Sequence, residues 1–110
     1  MPNEFPDFLA WLPCSEEVLI YESDKEKTAD IVLDAEIVFT LDFNALHRTG
    51  EMEQVLKKVT APFIMIDHHQ KPDNYATHTY SDVAFGSTCE MVYNFISFLG
   101  KKEDLDKTIA

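Results

Sequence analysis

Two short polar groups in this chain have the types and spacing to do chemistry. Asp42 follows directly on the run Val38-Phe39-Thr40-Leu41, and Asp67-His68-His69 follows directly on Phe63-Ile64-Met65-Ile66. A carboxylate with imidazoles suits Mn, Fe, Zn or Mg, and the mixed oxygen and nitrogen set leans away from Mg alone. Each group also has a bland alternative. Asp42 could cap a following helix, and Asp67-His68-His69 could be turn residues. For a single Asp at a strand end the bland alternative wins by a wide margin. The two groups together favour a metal site, because paired histidines after a wholly apolar strand bring no packing benefit. Three candidate donors are fewer than a complete two-metal centre needs.

The elements that must position these groups are legible from periodicity and punctuation. Pro6 to Leu12 reads as a short amphipathic helix ended by Pro13. Val18 to Tyr21 reads as a buried strand. Asp24 to Ala35 reads as a helix capped by Asp24, with Ala29, Ile31, Val32 and Ala35 on its inner side. Ile37 to Leu41 is β-branched and aromatic, hence a strand. Glu51 to Val59 carries Met52, Val55, Leu56 and Val59 at helical spacing, a core face. Phe63 to Ile66 is a second apolar strand, and Thr77 to Ser81 a shorter third. Ser87 to Leu99 is a helix opened by the capping box Ser87-Thr88-Cys89-Glu90 and ended by Gly100. Glu103 to Ile109 starts another helix.

This alternation predicts an α/β fold, a parallel sheet with helices on both faces, in which the two main strands are central. Ligands in such sheets lie outside the carboxyl ends of the strands. The segment between Asp42 and Asp67 holds one helix, so it is a crossover of ordinary length. Its two strands should be neighbours, and Asp42 and the histidine pair should face one crevice.

Composition narrows the partners. The 110 residues suit one domain or part of one, and 45% are hydrophobic, enough for a core. The formal net charge is −11, from 20 acidic against 9 basic residues. Such a surface repels long nucleic acids, whose binding relies on Lys and Arg displacing counterions. A short phosphate ligand held through a metal stays compatible, because the ion inverts the local electrostatics. No basic segment followed by an apolar run opens the chain, and no stretch is long enough to span a bilayer. Cys14 and Cys89 are too few and too distant for a disulfide framework, so a cytoplasmic location is expected. Cys89 reads as a small buried hydrophobe. Phe8, Trp11 and Leu12 read as core or as a patch, and His78 as surface.

The stretches Leu41-Asp42-Phe43-Asn44-Ala45-Leu46-His47-Arg48-Thr49-Gly50 and Met65-Ile66-Asp67-His68-His69 resemble the second and third signature motifs of the DHH phosphoesterase family. That family includes RecJ-type exonucleases, manganese inorganic pyrophosphatases and nanoRNase/pAp phosphatases. Gly86-Ser87-Thr88-Cys89-Glu90-Met91-Val92-Tyr93 resembles the segment that follows the histidines in that family. The bare tripeptide is a weak signal, and its combination with the Asp42 motif at the right distance is strong. The nearest likeness is to the nanoRNase or exopolyphosphatase-related branch.

The resemblance implies a Rossmann-like three-layer domain and an Mn²⁺-dependent phosphoesterase using two ions, with Mg²⁺ or Co²⁺ as substitutes. It implies that Asp42 bridges the ions, that His68 binds metal, and that His69 contacts the substrate phosphate. Asp67 would orient the histidines. Asn44, His47 and Arg48 would approach the substrate, Arg48 through its planar fork, with a solvated or internally paired arginine as the equal alternative. Ser87 and Thr88 read first as a helix cap, with a secondary phosphate role through the free N–H groups of the helix start.

The family's opening His-x-x-x-Asp-x-Asp motif, a further metal-binding Asp and the separate substrate-binding domain do not occur in these residues. Residues 1–110 are therefore expected to be the central part of a single DHH catalytic domain, with little activity alone. Short oligoribonucleotides or 3′-phosphoadenosine 5′-phosphate are the expected substrates, with a homodimer for the full-length enzyme. Two alternatives stand beside this reading. One is a non-catalytic nucleotide-binding or interaction module. The other is a related inorganic pyrophosphatase or exopolyphosphatase.

Overall fold

The computed structural model describes residues 1–100. The helix expected over Glu103 to Ile109 lies outside them. Three parallel strands form the sheet: β1 (Val38–Leu41), β2 (Phe63–Asp67) and β3 (His78–Ser81), in the order β1-β2-β3. Helix α1 (Lys25–Leu33) precedes β1, α2 (Glu53–Leu56) lies between β1 and β2, and α3 (Thr88–Phe98) follows β3. Val38 pairs with Phe63 and Leu41 with Ile66, so β1 and β2 are direct neighbours in register.

Helices cover both faces of the sheet, as the alternation predicts. On one face Phe63 joins Tyr21, Met52 and Leu56 in a core that also takes in Ala29, Val32, Val38 and Val55. On the other, Phe39 meets Phe95 of α3 edge to face at 5.9 Å. Met65, Ile66 and Met91 are fully buried between these layers.

Local chemistry explains the element ends. The Asp24 side chain accepts from the Lys27 N–H at 3.1 Å and caps α1. Ser87 accepts from the Glu90 N–H at 3.3 Å and caps α3. Gly100 takes φ 77, the left-handed conformation that closes a helix without a Cβ penalty.

Several expectations are corrected. Val18 to Tyr21 is not a strand. Its backbone is tied to the N-terminus instead, through the Met1 amino group to the Leu19 carbonyl at 2.6 Å and the Tyr21 N–H to the Met1 carbonyl at 2.8 Å. Pro6 to Leu12 yields only a 3-10 turn over Asp7–Leu9, and Phe8 and Trp11 are exposed there, not core. A second 3-10 turn spans Ser15–Glu17. In α1 the buried stripe runs through Thr28, Ala29 and Val32, which turns Ile31 to the outside at 50% exposure. The helix expected from Glu51 is a 3-10 segment over Leu46–Met52 that runs into the short α2. Gly50, at φ 64 and ψ −133, breaks the helical path inside the 3-10 segment. Among the described residues β1 is an edge strand, not a central one, so Phe39 and Leu41 are each more than 40% exposed.

Candidate metal centre

Asp42 sits one residue beyond β1 and Asp67 is the last residue of β2, so the register of the pair places both at the carboxyl end of the sheet. The ladder continues one step past β1, with the Asp42 N–H donating to the Ile66 carbonyl at 3.0 Å. Asp42 then takes φ 68, a left-handed conformation in which Asp is tolerated but uncommon. That turn throws its carboxylate over the end of β2. Oδ1 of Asp42 lies 3.7 Å from Nε2 of His68 and 3.7 Å from Nδ1 of His69. One donor atom from each of the three residues falls within 4.8 Å of the others. At 3.7 Å these are not hydrogen bonds. The space between them suits a cation.

Neighbouring groups set the imidazoles. Nδ1 of His68 is 3.2 Å from the Phe85 carbonyl, an acceptor, so Nδ1 carries the proton and Nε2 turns bare toward Asp42. Asp67 is fully buried. Its carboxylate accepts from the His69 N–H at 2.6 Å and from His69 Nδ1 at 3.1 Å. This holds the His69 ring by Nδ1 and leaves Nε2 as its unused nitrogen. The two rings meet edge to face at 4.8 Å. The bland alternative for Asp42 does not hold: the next helical turn is entered through Ala45, and Oδ1 of Asp42 accepts from Thr88 instead, at 2.6 Å.

The remaining candidates divide. Asn44 is buried and ties the two site loops together, its Nδ2 donating to the Gln70 carbonyl at 3.0 Å and its own carbonyl accepting from the Asp73 N–H at 2.7 Å. Arg48 is exposed and gives one N–H to Oδ1 of Asn44 at 3.0 Å. His47 is exposed and outside the cluster. A cleft of about 430 Å³ opens beside Asp42 and His68, lined also by Ser87, Thr88, Val92 and Tyr93.

Two groups carry more than their sequence suggests. The Tyr75 hydroxyl donates to the Phe43 carbonyl and bonds Thr40 Oγ1, both at 2.6 Å, and so braces the backbone next to Asp42. Burial, with the charges of Asp67 and Asp73, pushes its pKa above the ordinary 10.0, against the pull of the Thr40 bond. Thr88 turns its hydroxyl to Asp42 although Ser87 already caps α3, and two hydroxyls where a cap needs one were the available signal. Cys89 is exposed and lines the cleft, because its place in the first turn of α3 turns it away from the core.

The model of the DHH family, N-terminal domain, matches residues 3–110. The chain belongs to the DHH family. Its fold is also that of a solved structure, an exopolyphosphatase-related protein from Bacteroides fragilis, with TM-score 0.95 and 37% identity. The match covers 99% of this DHH chain and 32% of that protein, so the chain spans about a third of the relative's length. Comparison with curated proteins gave no match. No helix among the described residues is long and apolar enough to cross a membrane.

Proposed function

We propose that this DHH chain is part of a metal-dependent phosphoesterase that hydrolyses phosphoester bonds of short oligoribonucleotides or of 3′-phosphoadenosine 5′-phosphate. The observation that carries the reading is the convergence of one carboxylate and two imidazoles within 4.8 Å at the carboxyl ends of two adjacent strands. The donor set fits a divalent ion. Asp42 supplies an exposed carboxylate and His68 a nitrogen whose partner nitrogen is already engaged. Mn²⁺ matches mixed carboxylate and imidazole donors, with Mg²⁺ or Co²⁺ able to stand in. A divalent ion held there would acidify a bound water and polarise a phosphoryl oxygen.

The chain's own residues do the rest. Asp42 and His68 hold the ion. Asp67 fixes the His69 ring through Nδ1, and as the imidazolium His69 turns its second N–H, on Nε2, to a phosphate oxygen. Arg48 spends one N–H on Asn44 and presents the remainder of its fork to solvent, where it meets a phosphate, with His47 beside it. Three donors do not complete a two-ion centre, so further ligands and a substrate-binding domain come from outside these residues. The low cysteine content fits a cytoplasmic setting, and the full-length enzyme is read as a homodimer.

The test is a panel of dinucleotides, 3′-phosphoadenosine 5′-phosphate, pyrophosphate and polyphosphate, with and without Mn²⁺. The full-length protein should turn over a phosphoester substrate only with the ion, and the 110-residue chain should show little turnover. Asp42→Ala and His68→Ala should each cost on the order of 100-fold or more. Full activity in either variant contradicts the assignment, and a preference for pyrophosphate or polyphosphate contradicts the substrate class.

A further inference from the structure

We propose that Thr88 is a positioning residue of the metal centre, its hydroxyl orienting the Asp42 carboxylate for the cation. The inference rests on the metal reading of Asp42 and His68. Asp42 is the most exposed member of the cluster, with its side chain 56% accessible. The backbone bond to Ile66 fixes where its Cα lies and does not fix its side-chain torsions. The hydrogen bond that does so comes from Thr88, 46 residues away in sequence, at 2.6 Å to Oδ1. Thr88 itself is buried at 7% exposure, and its β-branch leaves few rotamers. A stiff donor on the first turn of α3 therefore holds an exposed acceptor at the end of β1.

The hydroxyl has no competing local duty. Ser87 caps α3 through the Glu90 N–H, so Thr88 is free to face the site. Its bond occupies one lone pair of Oδ1. The other lone pair and all of Oδ2 are left for a cation, and Oδ1 stays directed at His68 Nε2. Carboxylates that ligate metals are commonly held this way, and loss of such a partner weakens metal affinity about 10- to 100-fold.

The experiment measures Mn²⁺ affinity of the full-length protein by calorimetry, with the visible absorption of bound Co²⁺ as a second readout. Thr88→Val removes the hydroxyl at nearly constant shape, Thr88→Ala removes it without the added methyl crowding, and Thr88→Ser retains it. The valine and alanine variants should bind Mn²⁺ about 10- to 100-fold more weakly and change the Co²⁺ spectrum, while serine stays within about threefold of wild type. Val55→Ala loosens the core far from the site and should leave affinity unchanged, which separates positioning from general destabilisation. Wild-type affinity in both hydroxyl-free variants overturns the role of Thr88 and leaves the metal reading standing. An equal loss in Val55→Ala also overturns it. Absence of Mn²⁺ binding by the wild-type full-length protein overturns both.

Discussion

At the residue scale, the site depends on side chains whose partners are already engaged. Asp67 shows this most plainly: it is fully buried, and its carboxylate satisfies the N–H and Nδ1 of His69. Replacing it by Ala leaves two donors without an acceptor and the His69 ring free to turn. Asp67→Ala should therefore lower unfolding free energy by about 2–3 kcal/mol in urea titrations. It should also weaken phosphate contacts even where the protein is kept folded. A stability change under about 0.5 kcal/mol would show that the carboxylate is dispensable to the fold. Asp42 and the histidine pair are legible in the sequence because each stands at the end of an apolar run, where a polar residue contributes nothing to the core. For Thr88 only the surplus hydroxyl beside the Ser87 cap is legible, not the partner it reaches. A threonine at a helix start looks the same whether it caps the helix or reaches a residue 46 positions away.

At the element scale, the loops after β1 and β2 carry the site, and cross-links hold them. Tyr75 is the main one, bridging Thr40 and the backbone of Phe43. Tyr75→Phe should cost about 1–2 kcal/mol at neutral pH, since a hydroxyl and a carbonyl lose their partner. The pH dependence has a definite sign. Burial raises the Tyr75 pKa above the ordinary 10.0, so the unfolded chain releases this proton before the folded one does. The contribution of the neutral hydroxyl is fully present below about pH 10 and is lost as pH rises through the higher folded-state value. Urea midpoints above pH 10 should thus fall less steeply for Tyr75→Phe than for wild type, and parallel slopes would remove Tyr75 as the cause. Periodicity marks where β1, β2, α1 and α3 lie, although in α1 it puts Ile31 on the wrong side. It misplaces the stretch from Val18 to Tyr21, whose apolar residues pair with the N-terminus and not with the sheet. It also misses the break at Gly50, where backbone freedom and not hydrophobic spacing decides the path.

At the scale of the whole molecule, the sheet has an apolar edge. Ile37, just before β1, and Phe39 and Leu41 within it are each over 40% exposed, and the outer side of β1 pairs with no strand among the described residues. Such an edge is a template for pairing with another chain. The 110-residue chain should therefore associate with rising concentration in sedimentation velocity, and Phe39→Lys should reduce that association. A wild-type chain that stays monomeric throughout would show the edge to be protected. The sheet also sets the site's geometry, because parallel pairing of β1 with β2 brings residues 42 and 67–69 to one end. The measurement that bears most directly on the account is Mn²⁺ titration of the full-length protein by calorimetry, wild type against Asp42→Asn. Asn tolerates the left-handed backbone and can still accept from Thr88, so the variant should keep its thermal midpoint and lose its Mn²⁺ binding. Equal Mn²⁺ affinity in the two proteins would contradict the assignment of Asp42 and His68 as a metal centre.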